Sequence, residues 1–171
     1  ILTVNGLKIG VIGVTTPNVP RWDGDKVASL TFLDMAESVQ KYAKELKEQE
    51  KADLIIVTSH AGLNAEYDEE GGSDAAKKIV ELVPDVDVLL VGHMHITVNE
   101  QIGDTIVGGP RNLGREVVRF DLKVKKENGS VQVADQSVTI VDMANYEPDP
   151  QLRDLIQEEH DATNNFIHGG G

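Results

Sequence analysis

Apolar and polar positions divide the first part of the chain into alternating strands and helices. Two apolar runs flank Asn5-Gly6, a pair that favours a type I′ turn, and they predict a β-hairpin over residues 1–16. Prolines and a glycine predict a loop over residues 17–29. Apolar residues then recur at helical spacing from Thr31 to Glu50. This pattern predicts an amphipathic helix that Thr31 and Asp34 cap.

Two short, continuous apolar runs, at residues 53–60 and 87–91, predict strands that are buried on both faces. Between them we predict an acidic, glycine-rich loop over residues 62–72, whose run Asp68–Glu70 is expected to be solvated. A second amphipathic helix is predicted from Ser73 to Val83, with Ser73 as its N-cap. Strands that alternate with helices indicate a parallel sheet connected by right-handed crossovers.

The pattern changes in the second half of the chain. Residues 105–108 predict a short strand. Apolar and charged residues alternate over residues 118–124, and Asn128-Gly129 turns this half-buried strand into a partner that ends near Asp142. Asp149-Pro150 is typical of a helix start, and the glycines at 169–171 are typical of a linker or a frayed end. The predicted fold class is α/β, mostly parallel, with an antiparallel hairpin extension.

Composition narrows the classes of function. The chain of 171 residues is 40% hydrophobic and carries a net charge of −13, from 16 basic and 29 acidic residues. This acidic balance argues against a nucleic-acid partner, which needs a basic surface. The absence of cysteine excludes disulfides and thiolate metal sites. No apolar run approaches the roughly 18 residues of a membrane span.

Three of the five histidines follow two neighbouring strands of the predicted sheet. His60 ends the first buried strand, and His93 follows the second after Gly92. The carboxyl ends of parallel strands meet at one edge of a sheet, where ligands collect. His95 lies two residues further, and in an extended segment it would point the same way as His93. We therefore predict a metal site, with Gly92 allowing a sharp turn.

The remaining candidate residues are given structural interpretations. His160 lies among charged residues on the last helix and is expected to be solvated, and no role is assigned to His168. Trp22 is expected to pack the loop that carries it, or else to line a substrate site.

The histidine motifs resemble those of the calcineurin-like metallophosphoesterases. TSHAGL (58–63) and GHMH (92–95) are similar to the last two metal motifs of that family. Three longer segments resemble its bacterial branch of 5′-nucleotidases and 2′,3′-cyclic-nucleotide 2′-phosphodiesterases: residues 8–24, 85–95 and 110–122. The family's Trp-Gly pair is Leu113-Gly114 here.

The resemblance implies a four-layer α/β/β/α sandwich with two divalent metal ions such as Mn, Zn or Fe. Carried over by position, His60 and His93 would bind one ion and His95 the other. The family's Asp-x-His and Gly-Asn-His motifs do not occur in this sequence. Two Gly-Asp pairs do occur, but neither lies where the order of the family's motifs would place it. We therefore expect the chain to be the C-terminal half of the domain and to be inactive alone. The histidine that protonates the leaving group is expected upstream of Ile1.

Further expectations follow from the same resemblance. Residues 1–146 would belong to the metallophosphoesterase domain, and residues 147–171 would lead to a nucleotide-binding domain. The parent would hydrolyse nucleotide or cyclic-nucleotide phosphoesters in the periplasm or cell wall. An exposed sheet edge could mediate self-association. Two other functions stay open: a mononuclear zinc enzyme with three histidine ligands, and a non-catalytic α/β interaction module.

Overall fold

A computed structural model describes residues 1–67 and 72–169 of the protein. Contacts divide the chain into two compact units, Ile1–Val141 and Asp142–Gly171. The acidic run Asp68–Glu70, predicted to be solvated, and the last two glycines of the predicted linker lie outside the described residues.

The first unit is built on a six-stranded sheet. Its strands in chain order are β1 (Leu2–Val4), β2 (Leu7–Thr15), β3 (Leu54–His60), β4 (Val88–Leu90), β5 (Val98–Ile102) and β6 (Thr105–Gly109). Their order in the sheet is β1-β2-β3-β4-β6-β5. The four central strands are parallel, and β1 and β5 pair antiparallel at the two edges. The predicted α/β fold with a mostly parallel sheet is therefore confirmed, and β5 is an additional strand that no pattern in the sequence predicted.

Three helices belong to this unit: α1 (Val19–Asp23), α2 (Met35–Glu48) and α3 (Lys77–Leu82). Helices α2 and α3 bury apolar residues in one core with the inward side chains of the central strands. This core includes Val39, Ile55, Val57, Ile79 and Leu89, all of which are fully buried. The alternation along β3 thus sends Ile55 and Val57 toward the helices and leaves the intervening side chains on the opposite face of the sheet.

The predicted hairpin forms a second sheet of its own, made of β7 (Glu116–Glu127) and β8 (Ser130–Asp142). Its half-buried residues alternate with exposed ones, as predicted. A Cβ at Gly108 of β6 would lie only 2.6 Å from Val118 Cγ1 and 2.8 Å from Phe120 Cζ. The hairpin therefore packs against the face of the larger sheet that α2 and α3 do not cover.

Both predicted Asn-Gly turns are confirmed, with positive φ at each residue of each pair: Asn5 (50°), Gly6 (79°), Asn128 (52°) and Gly129 (81°). These values match the type I′ geometry, in which the strand twist continues through the turn.

The predicted helix boundaries required correction at three places. The loop predicted over residues 17–29 contains α1 and a following 3-10 turn, Gly24–Val27. Helix α2 begins at Met35, because the Asp34 side chain caps it by accepting a hydrogen bond from the Glu37 N–H at 2.9 Å. The second helix was predicted to start at Ser73 with Ser73 as its N-cap, but it starts at Lys77, and its N-cap is Ala76, which makes no side-chain capping bond. The N–H groups of Ala76 and Lys77 donate instead to carbonyls of the loop at residues 62–63.

The second unit contains a 3-10 turn (Met143–Asn145) and two helices, α4 (Pro150–Leu155) and α5 (Gln157–His168). The Asp149 side chain caps α4 by accepting hydrogen bonds from the N–H groups of Gln151 and Leu152, as the Asp-Pro pair predicted. The single predicted helix is interrupted at Ile156. In the described part of the chain, no helix combines the length and apolar composition that crossing a bilayer requires.

Candidate functional site

Strands β3 and β4 deliver the candidate residues to one edge of the sheet. Their parallel register pairs Thr58 with Leu90. The Gly92 N–H then donates to the Ala61 carbonyl at 3.1 Å, so the segments that follow β3 and β4 stay side by side beyond the strand ends. His60 follows Thr58 on the face away from α2 and α3. The predicted neighbouring strand ends are therefore found at the carboxyl edge of the sheet.

All three predicted histidines line one cavity of about 700 Å³ at this edge. The ends of β2, β3 and β4 form its walls together with the loop after β6. Asn112 of that loop is one of the lining residues. No carboxylate side chain is among its lining residues in the described ranges. The open face of the sheet thus presents imidazoles, hydroxyls and backbone groups to whatever occupies the cavity.

The rings of His60 and His93 are direct neighbours. Their centroids lie 5.2 Å apart, and their planes meet at 63°. His95 lines the same cavity from two residues further along the chain. The structure thus brings His60 and His93 into contact and places His95 at the wall of their shared cavity.

The path of the backbone through this motif differs from the prediction. The segment is not extended: φ is 66° at His93 and 57° at His95. The Met94 N–H donates to the Gly92 carbonyl at 2.7 Å, which closes a three-residue turn around His93. Such turns with positive φ are rare and strained, and strain of this kind clusters at functional sites.

Glycine supports the turn at a different position from the one predicted. Gly92 lines the cavity but does not adopt positive φ, so His93 makes the sharp turn. A Cβ at Gly92 would make only ordinary contacts, at 4.0 Å from His60 Nδ1. At Gly62 a Cβ would instead lie 2.5 Å from Met94 Cγ. The position where the backbone closely approaches the histidine turn is therefore Gly62. This glycine belongs to the TSHAGL motif, but the sequence did not single it out.

Two side chains that the motifs did not identify surround His93. Glu66 Oε2 lies 2.7 Å from His93 Nε2. The Trp22 ring, half exposed, lies 5.1 Å from the His93 ring, so Trp22 contacts the candidate site rather than only its own loop. Tyr67 completes the group at 6.1 Å from Trp22, with the Arg21 guanidinium over its face. These residues belong to loops and a short helix, where no periodic pattern marks them.

The donor chemistry of the site fits a transition metal ion in part. Imidazole suits zinc and iron, and three histidines line one cavity. Within residues 1–67 and 72–169, however, no three His, Asp or Glu side chains are grouped closely enough to hold an ion. The histidines of the cavity could therefore hold a metal ion only together with further ligands.

A clamped carboxylate shapes the loop that borders the cavity. Glu116 accepts hydrogen bonds from the Arg111 N–H at 3.0 Å and from the Thr97 hydroxyl at 2.8 Å, and it pairs with Arg111 Nε at 2.8 Å. The Arg111 N–H, followed by the Thr97 hydroxyl, holds the pKa of Glu116 below its usual range. These bonds hold the loop that carries Asn112 at the cavity wall.

Other titratable groups lie away from the cavity. Burial raises the pKa of Asp87, although the hydrogen bond that its carboxylate accepts from the Ile55 N–H has the opposite effect. Asp87 precedes β4 and therefore lies at the end of that strand away from the cavity. His160 is exposed on α5 beside Asp161 and Asn164, as predicted. Neither Asp87 nor His160 therefore belongs to the candidate site at the histidine cavity.

Comparison with known proteins gives a consistent result. The model of a family described as calcineurin-like phosphoesterase matches residues 1–97. The trifunctional nucleotide phosphoesterase protein YfkN of Bacillus subtilis is 26% identical over an alignment of 179 positions, which covers 94% of this chain and 12% of the relative. Its crystal structure matches with a TM-score of 0.83 at 24% identity, over 94% of this chain and 53% of that one, and supports the fold.

Two further proteins extend the comparison. The cell wall protein Lmo0130 of Listeria monocytogenes is 30% identical over 149 residues, covering 80% of this chain and 19% of the relative. The structure of a putative 5′-nucleotidase from Staphylococcus aureus matches with a TM-score of 0.69 at 27% identity, over 94% of this chain and 32% of that one. The chain thus spans less than a fifth of the length of both curated relatives.

Proposed function

This chain belongs to the calcineurin-like phosphoesterase family, and we propose that it forms the histidine-bearing part of a metal-dependent phosphoesterase that hydrolyses nucleotides or cyclic nucleotides. The observation that supports this proposal best is the contact of the His60 and His93 rings, at 5.2 Å, in a cavity that His95 also lines. The nucleotide substrate class is drawn from the names of the relatives.

The proposed roles of the histidines follow from the match of their motifs to those of the family. His60 and His93 would hold one divalent ion, and His95 would contribute to a second. Two bound metal ions would lower the pKa of a water molecule and neutralise charge on a phosphoester. The chain itself would orient the His93 ring through the three-residue turn around His93 and through its contact with Trp22. Asn112, at the cavity wall, would be available to a phosphoester oxygen as a hydrogen-bond donor.

A complete two-metal centre would require negatively charged ligands, because neutral imidazoles do not offset the charge of two dications. No carboxylate lines the cavity in the described residues. We therefore propose that this chain alone has little or no phosphatase activity. Assay of the isolated chain with manganese and p-nitrophenyl phosphate tests this point, and robust turnover would overturn it.

Substitution of His93 in the whole protein tests the proposed function. His93→Ala is expected to lower bound metal and phosphodiester hydrolysis by more than about 100-fold, because even partners outside the coordination shell cost about 10–100-fold. His160→Ala is the matched control, since His160 is exposed on α5. Unchanged metal content and activity in His93→Ala would refute the proposal and favour a non-catalytic interaction module.

A single zinc ion with a bound water is the second candidate, and it would need all three histidines in one coordination shell, closer together than the described residues place them. Elemental analysis of the whole protein separates the two functions. Two metal ions per chain support the two-metal phosphoesterase, whereas one zinc ion that depends on all three histidines supports the mononuclear site.

We further propose, from the cell wall relative, that the protein acts outside the cytoplasm. Its recovery in the cytoplasmic fraction would contradict this.

A further inference from the structure

The ring of His93 has a specific acidic partner outside the cavity. Glu66 Oε2 lies 2.7 Å from His93 Nε2, and the two residues are 27 positions apart in the sequence. Their side chains are only 25% and 20% exposed, respectively. A surface pair such as Lys26–Asp23, at 3.8 Å and one helical turn apart, is 83% and 46% exposed. The Glu66 contact is therefore shorter and better shielded than a surface ion pair of the same chain.

The loop that carries Glu66 is anchored to the body of the unit. The Asp74 side chain is buried, and its Oδ2 accepts hydrogen bonds from the Glu66 N–H at 3.1 Å and the Tyr67 N–H at 2.9 Å. The same oxygen accepts a bond from Asn18 Nδ2 at 2.7 Å. Asp74 thus connects the Glu66 loop with the segment that starts α1 and carries Trp22. These bonds hold the backbone of Glu66 in place, and from this anchored position its carboxylate contacts His93.

His93 is confined from several directions at once. Glu66 contacts Nε2, the Trp22 ring lies 5.1 Å away, and the His60 ring lies 5.2 Å away. The backbone of His93 is held at φ 66°. A strained backbone of this kind persists only where the surroundings over-determine it. These contacts therefore specify the orientation of one ring, which is the condition for a preorganised ligand.

The hydrogen-bond chemistry selects one tautomer. A carboxylate only accepts hydrogen bonds, so His93 Nε2 carries the proton in this contact. The lone pair of the neutral ring is then on Nδ1. We propose that Glu66, anchored by Asp74, is a positioning residue that holds His93 as the Nε2–H tautomer and so makes Nδ1 its metal-donor atom. This inference rests on the proposed metal-dependent function and assigns a role to a residue outside the histidine motifs.

The expected consequence is one of affinity and orientation. A carboxylate behind a ligating imidazole fixes its tautomer and raises its basicity, and loss of such a partner costs about 10–100-fold in metal affinity. Glu66→Ala removes the acceptor. Glu66→Gln keeps an acceptor oxygen but removes the charge, so it should retain the tautomer with an intermediate loss of affinity. Glu81→Ala is the control, because the Glu81 side chain is 50% exposed on the surface of α3, where it pairs with Lys78.

The experiment uses two independent measurements on the whole protein. Long-range ¹H–¹⁵N NMR of the metal-free protein reports the tautomer of His93, which a purely structural role for Glu66 would leave unchanged. Competition with a chromophoric chelator reports the Kd for zinc. We expect the Nε2–H tautomer in the unsubstituted protein and in Glu66→Gln, and a mixture of tautomers with about 10–100-fold weaker zinc binding in Glu66→Ala.

The possible failures can be told apart. An Nδ1–H tautomer in the unsubstituted protein, or an unchanged tautomer and zinc Kd in Glu66→Ala, overturns the positioning role of Glu66 while leaving the metal function standing. Absence of zinc binding to the unsubstituted protein overturns the proposed function itself, and with it the donor role of Nδ1. If Glu66→Ala unfolds the protein, the tautomer and Kd in the folded Glu66→Gln variant decide the outcome.

Discussion

Replacement of Asp74 by alanine tests whether the hydrogen bonds around this residue hold the loop beside the candidate site. Within the described residues, one buried oxygen of Asp74 accepts three hydrogen bonds, from Asn18 Nδ2 and from the N–H groups of Glu66 and Tyr67. At about 1 kcal/mol net for each bond, Asp74→Ala should lower the free energy of unfolding by about 3 kcal/mol. For a chain of this size, that loss corresponds to a fall in Tm of about 6–12 °C.

Thermal unfolding followed by circular dichroism measures the effect. Asn18→Ala removes only one of the three bonds and should cost about 1 kcal/mol. Asp135→Ala is the control, because Asp135 is 69% exposed and pairs with Lys123 at 3.5 Å, so its loss should stay within about 0.5 kcal/mol. An Asp74→Ala variant as stable as the control would refute the reasoning that this oxygen anchors the loop.

Two other substitutions test the frame of the site. Gly109→Ala would place a Cβ 2.7 Å from the carbonyl oxygen of Val91, so it should destabilise the protein by about 1–3 kcal/mol; chemical denaturation measures this, and an unchanged midpoint would contradict it. The lowered pKa of Glu116 means that its contribution to stability is present above the ordinary value of 4.5 and is lost as the pH falls through the folded-state pKa. Glu116→Gln should therefore weaken the fall in Tm between pH 6 and about pH 3, and parallel Tm profiles of the two proteins would refute the assignment.

The candidate site was predictable where its residues follow regular strands. His60 and His93 come directly after two apolar runs, and parallel pairing of neighbouring strands places such positions side by side. The path from His93 to His95 was not predictable, because positive φ is uncommon at any residue other than glycine. Tertiary contacts with Glu66 and Trp22 surround that turn. The sequence singled out Trp22 as a residue that packs its loop or lines a substrate site, whereas nothing in it marked Glu66.

The sequence alone determined the elements whose patterns are local. Periodic apolar positions specified the central strands and α2, and Asn5-Gly6 and Asn128-Gly129 specified their turns, since backbone sterics act within a few residues. Tertiary structure alone decided the late start of α3, whose first N–H groups bind the loop at residues 62–63, and the separate sheet formed by the late hairpin. It also decided the partner of His93, because a hydrogen bond between residues 27 positions apart exists only after the chain has closed around it.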